Sequence, residues 1–102
     1  MPDGFSVREG SLFCEAVSAD SLAQRFATPL YVYSQTAITD AFAEWTEAFG
    51  EAEHLICFAV KANSNIAILK LLASLGSGFD IVSGGELQRV LAAGGDAGKV
   101  VF

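Results

Sequence analysis

The chain has 102 residues, of which 52% are apolar, and carries a formal net charge of −6. This composition suits a folded domain and argues against disorder, while the six basic residues are too few to cover the phosphates of a nucleic acid or an anionic membrane. The longest apolar runs fall far short of the roughly 20 residues that cross a bilayer, and the acidic N-terminus does not resemble a secretory signal, so we expect a cytoplasmic protein.

Residues 1–27 form an N-terminal segment with its own pattern. Apolar residues flank Arg8–Ser11 on both sides and predict a β-hairpin; they are Phe5, Val7 and Leu12–Val17. Ser18–Phe26 then predicts a short helix. We interpret this segment as a cover for the fold that follows or as a contribution to another domain.

From Thr28 onward, short β-branched or aromatic runs alternate with stretches of helical periodicity, as in repeated βα units. Four strands are predicted: Pro29–Tyr33, His54–Val60, Gly78–Val82 and Lys99–Phe102. Strands that are separated by helices pair in parallel through right-handed crossovers. The pattern therefore predicts a parallel sheet.

Three amphipathic helices are predicted between these strands. The first begins near Thr36 and ends at Gly50, and its apolar face is formed by Ile38, Phe42, Trp45 and Phe49. The second spans Asn65–Leu75 and is capped by Ser64 or Asn65, with Ile68, Leu69, Leu72 and Leu75 turned inward. The third starts after Ser83 and stops at Gly94-Gly95, with Leu87, Val90 and Leu91 as its apolar face.

The strand spacing favours a barrel within the α/β class. Successive strands begin about 20 to 25 residues apart, so eight units would fill most of the roughly 250 residues of a (β/α)8 TIM barrel. We interpret residues 28–102 as the truncated N-terminal half of such a barrel, with about 3.5 βα units, because no helix covers the last strand. A small doubly wound sheet is the competing fold, although it usually needs a fifth strand and a final helix.

Lys61 follows directly on an apolar run and is the candidate reactive residue. Catalytic groups of barrel enzymes project from the C-terminal ends of the strands, where Lys61 is expected. Burial there favours the neutral amine, which attacks an aldehyde to form a Schiff base. The competing interpretation is a lysine that ends its strand and extends into water.

Three ordered blocks resemble the fold-type III pyridoxal-phosphate decarboxylases, the alanine-racemase-like barrel family: Thr28–Tyr33 (TPLYVY), Phe58–Asn63 (FAVKAN) and Gly76–Leu87 (GSGFDIVSGGEL). The resemblance covers most of residues 28–102. It implies pyridoxal 5'-phosphate as cofactor, bound as a Schiff base to Lys61, with Asp80 close to both the cofactor and the lysine. The alternative role for Asp80 is a strand-terminal acid or a cap for the next helix.

The remaining polar residues are interpreted structurally. Asn63 is expected to cap the second helix rather than to orient the lysine loop, and Glu86 to lie in the first turn of the third helix. Gly84-Gly85 is interpreted as a turn rather than as a phosphate site. Cys14 and Cys57 lack CxxC spacing and are predicted to be free thiols, with Cys57 packed in the core. No metal site is expected.

The resemblance also implies an activity. The first and third blocks favour family members that decarboxylate meso-diaminopimelate to L-lysine in lysine biosynthesis. The resemblance further implies a homodimer of the full-length protein. The alternatives are ornithine, arginine or carboxynorspermidine decarboxylation, amino-acid racemisation, a non-catalytic pyridoxal-phosphate protein, and a small stand-alone α/β binding domain. Phosphate-, pyridine- and substrate-binding residues are expected beyond Phe102, so the chain alone is expected to be inactive and to fold poorly.

Overall fold

The computed structural model describes residues 4–102 and divides the chain into two compact units, Met1–Ala43 and Glu44–Phe102. Both helices and strands are present, and the predicted α/β class is confirmed. None of the helices within residues 4–102 is long and apolar enough to span a membrane. The finer division after residue 27 stays a prediction.

The first unit opens with a hairpin. Strands β1 (Phe5–Arg8) and β2 (Ser11–Cys14) pair in antiparallel orientation. Glu9 and Gly10 connect them with φ angles of 50° and 80°, as a two-residue type I′ turn requires. Strand β3 (Val17–Ser18) pairs with β2 on its other side. The predicted hairpin is therefore confirmed.

Two helices follow, α1 (Ala19–Phe26) and α2 (Gln35–Phe49). In each case the hydroxyl of the preceding serine, Ser18 or Ser34, accepts a hydrogen bond of 3.1 Å from the backbone amide three residues later. These serines supply an acceptor for an amide that has no partner within the helix. Both predicted helices are confirmed, and α2 ends before Gly50, which has a φ of 59°.

The predicted strand Pro29–Tyr33 does not form. Residues 27–34 adopt neither helix nor strand, and the two sheets within residues 4–102 do not include them. A strand is held by hydrogen bonds to a neighbouring strand. Because this segment has no such neighbour in the described part of the chain, its aromatic and β-branched composition does not suffice, and Tyr31 is 86% exposed.

The second unit contains a parallel sheet of β4 (Cys57–Ala59), β5 (Gly78–Asp80) and β6 (Val100–Val101), in that order. Helix α3 (Ile66–Ser74) joins β4 to β5, and α4 (Gly84–Ala92) joins β5 to β6. The predicted βα alternation is confirmed for this unit. Each strand is shorter than predicted, because the residues on either side leave the ladder for loops and turns.

The core of the second unit is built from the sheet and the inner faces of its helices. Its fully buried large side chains are Val60, Leu69, Phe79 and Val90. Ile68 and Leu72 are also buried, as predicted for α3. Leu91 was predicted on the apolar face of α4 but is 48% exposed, because it lies about 100° around the helix from the buried Val90.

Candidate cofactor-binding site

Lys61 lies two residues beyond the carboxyl end of β4. The residues Val60–Ala62 form a short 3-10 turn after this strand. Val60 is completely buried, whereas Lys61 is exposed. The turn thus places Val60 in the core and directs the lysine outward. We expected Lys61 to be buried, but residues 4–102 leave it exposed. Its amine forms no hydrogen bond or ion pair with these residues.

Asp80 is the last residue of β5 and is partly buried. In the parallel ladder it is the register partner of Ala59, two residues before Lys61. Adjacent strands lie about 4.8 Å apart, so the two candidate residues share one end of the sheet. They do not form an ion pair with each other, and the Asp80 carboxylate accepts no hydrogen bond from another residue of 4–102.

Asparagines shape the loop after Lys61. The Asn63 side-chain oxygen accepts a hydrogen bond from the Asn65 amide at 3.0 Å, while the Asn65 side chain accepts from the Ala67 amide at 2.9 Å. Asn65 is therefore the N-cap of α3, one of the two residues predicted for that role. The expectation that Asn63 caps the helix is wrong, because its side-chain oxygen accepts from the Asn65 amide, which lies in the loop before α3 begins.

The segment after Asp80 is also locally capped. The Ser83 hydroxyl accepts a hydrogen bond from the Glu86 amide at 3.1 Å, and the Glu86 carboxylate accepts one from the Val82 amide at 2.8 Å. This arrangement is close to a capping box, and it confirms that Glu86 lies in the first turn of α4. Because Ser83 caps α4, the carboxylate of Asp80 is not used as its cap.

Gly84-Gly85 forms the first turn of α4. A Cβ atom added to Gly84 would meet nothing within 4 Å, and one added to Gly85 would meet only the Ser83 hydroxyl at 3.8 Å. Neither glycine is required by a close contact within residues 4–102. Their interpretation as a turn rather than a phosphate site stays a prediction.

One contact of the lysine loop was not predicted. The Arg89 guanidinium on α4 donates a hydrogen bond of 3.0 Å to the carbonyl oxygen of Ser64. The partners are 25 residues apart in sequence, so no local pattern signals the contact.

Both cysteines are free, as predicted. The pKa of the Cys14 thiol is raised above its ordinary value, mainly by burial and to a smaller extent by the nearby Glu15 carboxylate. Cys57 is only partly buried and lies in β4, so the predicted core packing is partial. Neither thiol belongs to the group formed by Lys61 and Asp80.

The chemistry of these two residues fits a cofactor that carries an aldehyde. Lys61 provides a primary amine that no other residue of 4–102 engages, and this is the group that condenses with a carbonyl. Asp80 provides a carboxylate at the neighbouring strand end, which accepts hydrogen bonds from an amine. Asp80 is carried by the paired strand β5, a rigid support for a site, whereas Lys61 lies in the turn that follows its neighbour β4.

A family model described as the pyridoxal-binding domain of pyridoxal-dependent decarboxylases matches residues 35–102. Diaminopimelate decarboxylase from Neisseria meningitidis serogroup A is 64% identical over 92 residues, which are 90% of this chain and 23% of that protein. The one from Pseudomonas aeruginosa is 56% identical over 100 residues, or 98% of this chain and 24% of its relative.

Solved structures agree. The crystal structure of diaminopimelate decarboxylase from M. jannaschii superposes with a TM-score of 0.94 at 38% identity, covering 99% of this chain and 25% of that one. The chain thus spans about a quarter of the length of the relatives it matches. Because the family model covers most of the sequence, the chain belongs to the pyridoxal-dependent decarboxylases, with residues 35–102 matching their pyridoxal-binding domain.

Proposed function

We propose that this chain is the N-terminal portion of a diaminopimelate decarboxylase that uses pyridoxal 5'-phosphate to convert meso-diaminopimelate to L-lysine and carbon dioxide. The observation that carries the proposal is the placement of Lys61 and Asp80 at the same end of two paired parallel strands. The high identity to proteins of that name supports the substrate.

Lys61 is assigned as the residue that attaches the cofactor through its amine. The neighbouring Val60 is fully buried and holds the backbone in place, while the exposed side chain of Lys61 is free to reach a ligand. Asp80 is assigned to accept a hydrogen bond from the lysine amine or the substrate amine. The bound cofactor supplies an electron sink for the bond that breaks when carbon dioxide leaves.

The larger architecture belongs to the same proposal. Three consecutive parallel strands with helices between them, and the high TM-score to a solved relative, support residues 28–102 as part of a (β/α)8 barrel. Residues 1–27 then form a preceding segment. We further propose a cytoplasmic homodimer that acts on a small amino acid and binds neither nucleic acid nor membrane.

The cofactor assignment is tested with the full-length protein that contains this chain. Loaded with pyridoxal phosphate, the parent protein is expected to be yellow, and Lys61→Ala is expected to lose both the colour and at least about a hundredfold of the decarboxylation rate. Lys70→Ala, which removes another exposed lysine on α3, is the matched control and should keep both. A yellow Lys61→Ala protein would contradict the assignment.

The substrate and the role of Asp80 are tested by release of carbon dioxide. The parent protein is expected to turn over meso-diaminopimelate in preference to ornithine and arginine. Asp80→Asn keeps the shape but removes the charge, and should lower the rate roughly tenfold to a hundredfold because a charged hydrogen bond is lost. Preference for ornithine would assign the chain to another decarboxylase of the family, and an unchanged rate in Asp80→Asn would leave Asp80 a structural residue.

A further inference from the structure

The lysine loop, defined as residues 61–65, is held mainly by its own hydrogen bonds. The Asn63 amide donates to the Val60 carbonyl at 3.0 Å, and the Asn65 amide donates to the Asn63 side chain at 3.0 Å. The Asn65 carbonyl accepts from the Leu69 amide in α3 at 3.0 Å. These bonds define the shape of the loop but anchor it to nothing beyond the start of α3.

Arg89 supplies the missing anchor. Its bond to the Ser64 carbonyl is the one hydrogen bond within residues 4–102 that ties the lysine loop to an element distant in sequence. Arg89 lies on α4, the helix that follows the strand carrying Asp80. The bond therefore joins the segment after Lys61 to the segment after Asp80.

The pairing of β4 with β5 does not by itself hold the lysine loop in place. Ala59 and Asp80 are paired in the ladder, but β4 ends at Ala59 and the 3-10 turn then takes the chain out of the sheet. Within residues 4–102, the backbone of residues 61–65 has no partner in either sheet. A second tie beyond the turn is needed to limit the positions that the lysine loop adopts relative to β5.

We propose that Arg89 is a positioning residue, which holds the lysine loop against α4 so that Lys61 faces the ligand site beside Asp80. This proposal rests on the proposed function for the role of Lys61, although the anchoring itself does not depend on a cofactor. A guanidinium suits the task, because it stays charged and forms a stronger hydrogen bond to a carbonyl than a neutral donor does.

Amide hydrogen exchange of the full-length protein without cofactor tests the anchor directly. Arg89→Met keeps an aliphatic stem and removes every donor. The amides of Asn63 and Asn65, both bonded within the loop, are expected to exchange about threefold to tenfold faster, the range that corresponds to loss of one hydrogen bond. The amide of Leu72, in the buried part of α3, is expected to be unchanged.

Two further variants complete this experiment. Arg89→Lys keeps the charge and a donor, and should restore at least half of the lost protection. Gln88→Ala changes an exposed neighbour on the same helix and should leave exchange as in the parent. Unchanged exchange at Asn63 and Asn65 in Arg89→Met, or an equal rise at Leu72, would overturn the proposal, because the effect would then be absent or global.

A second readout links the anchor to the lysine. When pyridoxal phosphate is added to the protein without cofactor, the rate at which visible absorbance appears is expected to fall about threefold in Arg89→Met and to recover in Arg89→Lys. An equal rate in all three proteins would overturn the link to Lys61. If the parent itself gains no colour, the proposed function fails, whereas the exchange experiment still decides whether Arg89 anchors the loop.

Discussion

At the scale of single residues, neighbouring side chains have opposite tasks. Val60 is fully buried and Lys61 next to it is exposed, so one position anchors the turn while the other offers an amine. The sequence placed Lys61 correctly at a strand end, because an apolar run followed by a charge is a local signal. The prediction that Lys61 is buried was wrong within residues 4–102, because burial depends on contacts with residues distant in sequence.

Cys14 provides a prediction about pH. Burial and the Glu15 carboxylate raise its pKa in the folded protein, whereas in the unfolded chain it titrates near its ordinary value of 9.0. Below that pH both states keep the thiol proton and stability is intact. As the pH rises past 9.0 the unfolded chain loses its proton first, so stability falls until the pH has passed the raised value.

The measurement is the urea midpoint of unfolding as a function of pH. It is made on the full-length parent protein and on its Cys14→Ala variant. The parent is expected to lose stability more steeply above pH 9.0 than the variant, which has no thiol at this position. The two proteins differ only at this side chain, so the difference between the two slopes isolates Cys14. Parallel curves would refute the prediction.

At the scale of elements, the helices agree best with the sequence. Their starts depend on serine and asparagine caps, and their ends on glycines such as Gly50, all within a few residues. The strands agree less well. Pro29–Tyr33 has suitable composition but no partner, and the remaining strands are shorter than their apolar runs, because pairing requires a second chain segment.

Gly78 at the start of β5 gives a prediction for the sheet. A Cβ atom there would lie 2.5 Å from the Lys99 carbonyl oxygen and 2.8 Å from the Cys57 sulfur. The Lys99 carbonyl belongs to the backbone and cannot move away easily. Gly78→Ala is therefore expected to lower the free energy of unfolding by about 1–3 kcal/mol. Gly84→Ala is the control, since its Cβ meets nothing within 4 Å and a helical alanine is favoured over glycine. Equal urea midpoints for the two variants would contradict this reading of the sheet.

At the scale of the whole molecule, the parallel sheet has two edges that no other strand of residues 4–102 covers. Within residues 4–102, β4 and β6 each pair with β5 alone. Apolar side chains near these strands are also exposed, with Leu55 at 48%, Val101 at 47% and Phe102 at 95%. Unpaired edges and exposed apolar surface favour association with other chains.

Residues 1–102 expressed alone are therefore expected to aggregate or to associate, and to release no carbon dioxide from meso-diaminopimelate in the presence of pyridoxal phosphate. Size-exclusion chromatography and the carbon dioxide assay check the two parts of this prediction, with the full-length protein as the control. A soluble monomer of 102 residues that turns over the substrate would show that the site is complete within this chain.

The sequence by itself determined the hairpin turn, the helices with their caps, the alternation of strand and helix after residue 50, and Lys61 as the reactive candidate. These features arise from interactions between residues a few positions apart, so a linear pattern carries them. Only the tertiary structure decided that Pro29–Tyr33 stays unpaired, that Ala59 lies opposite Asp80, and that Arg89 reaches Ser64. Each of those depends on segments about 20 or more residues apart, whose meeting is set by packing and pairing rather than by local preference.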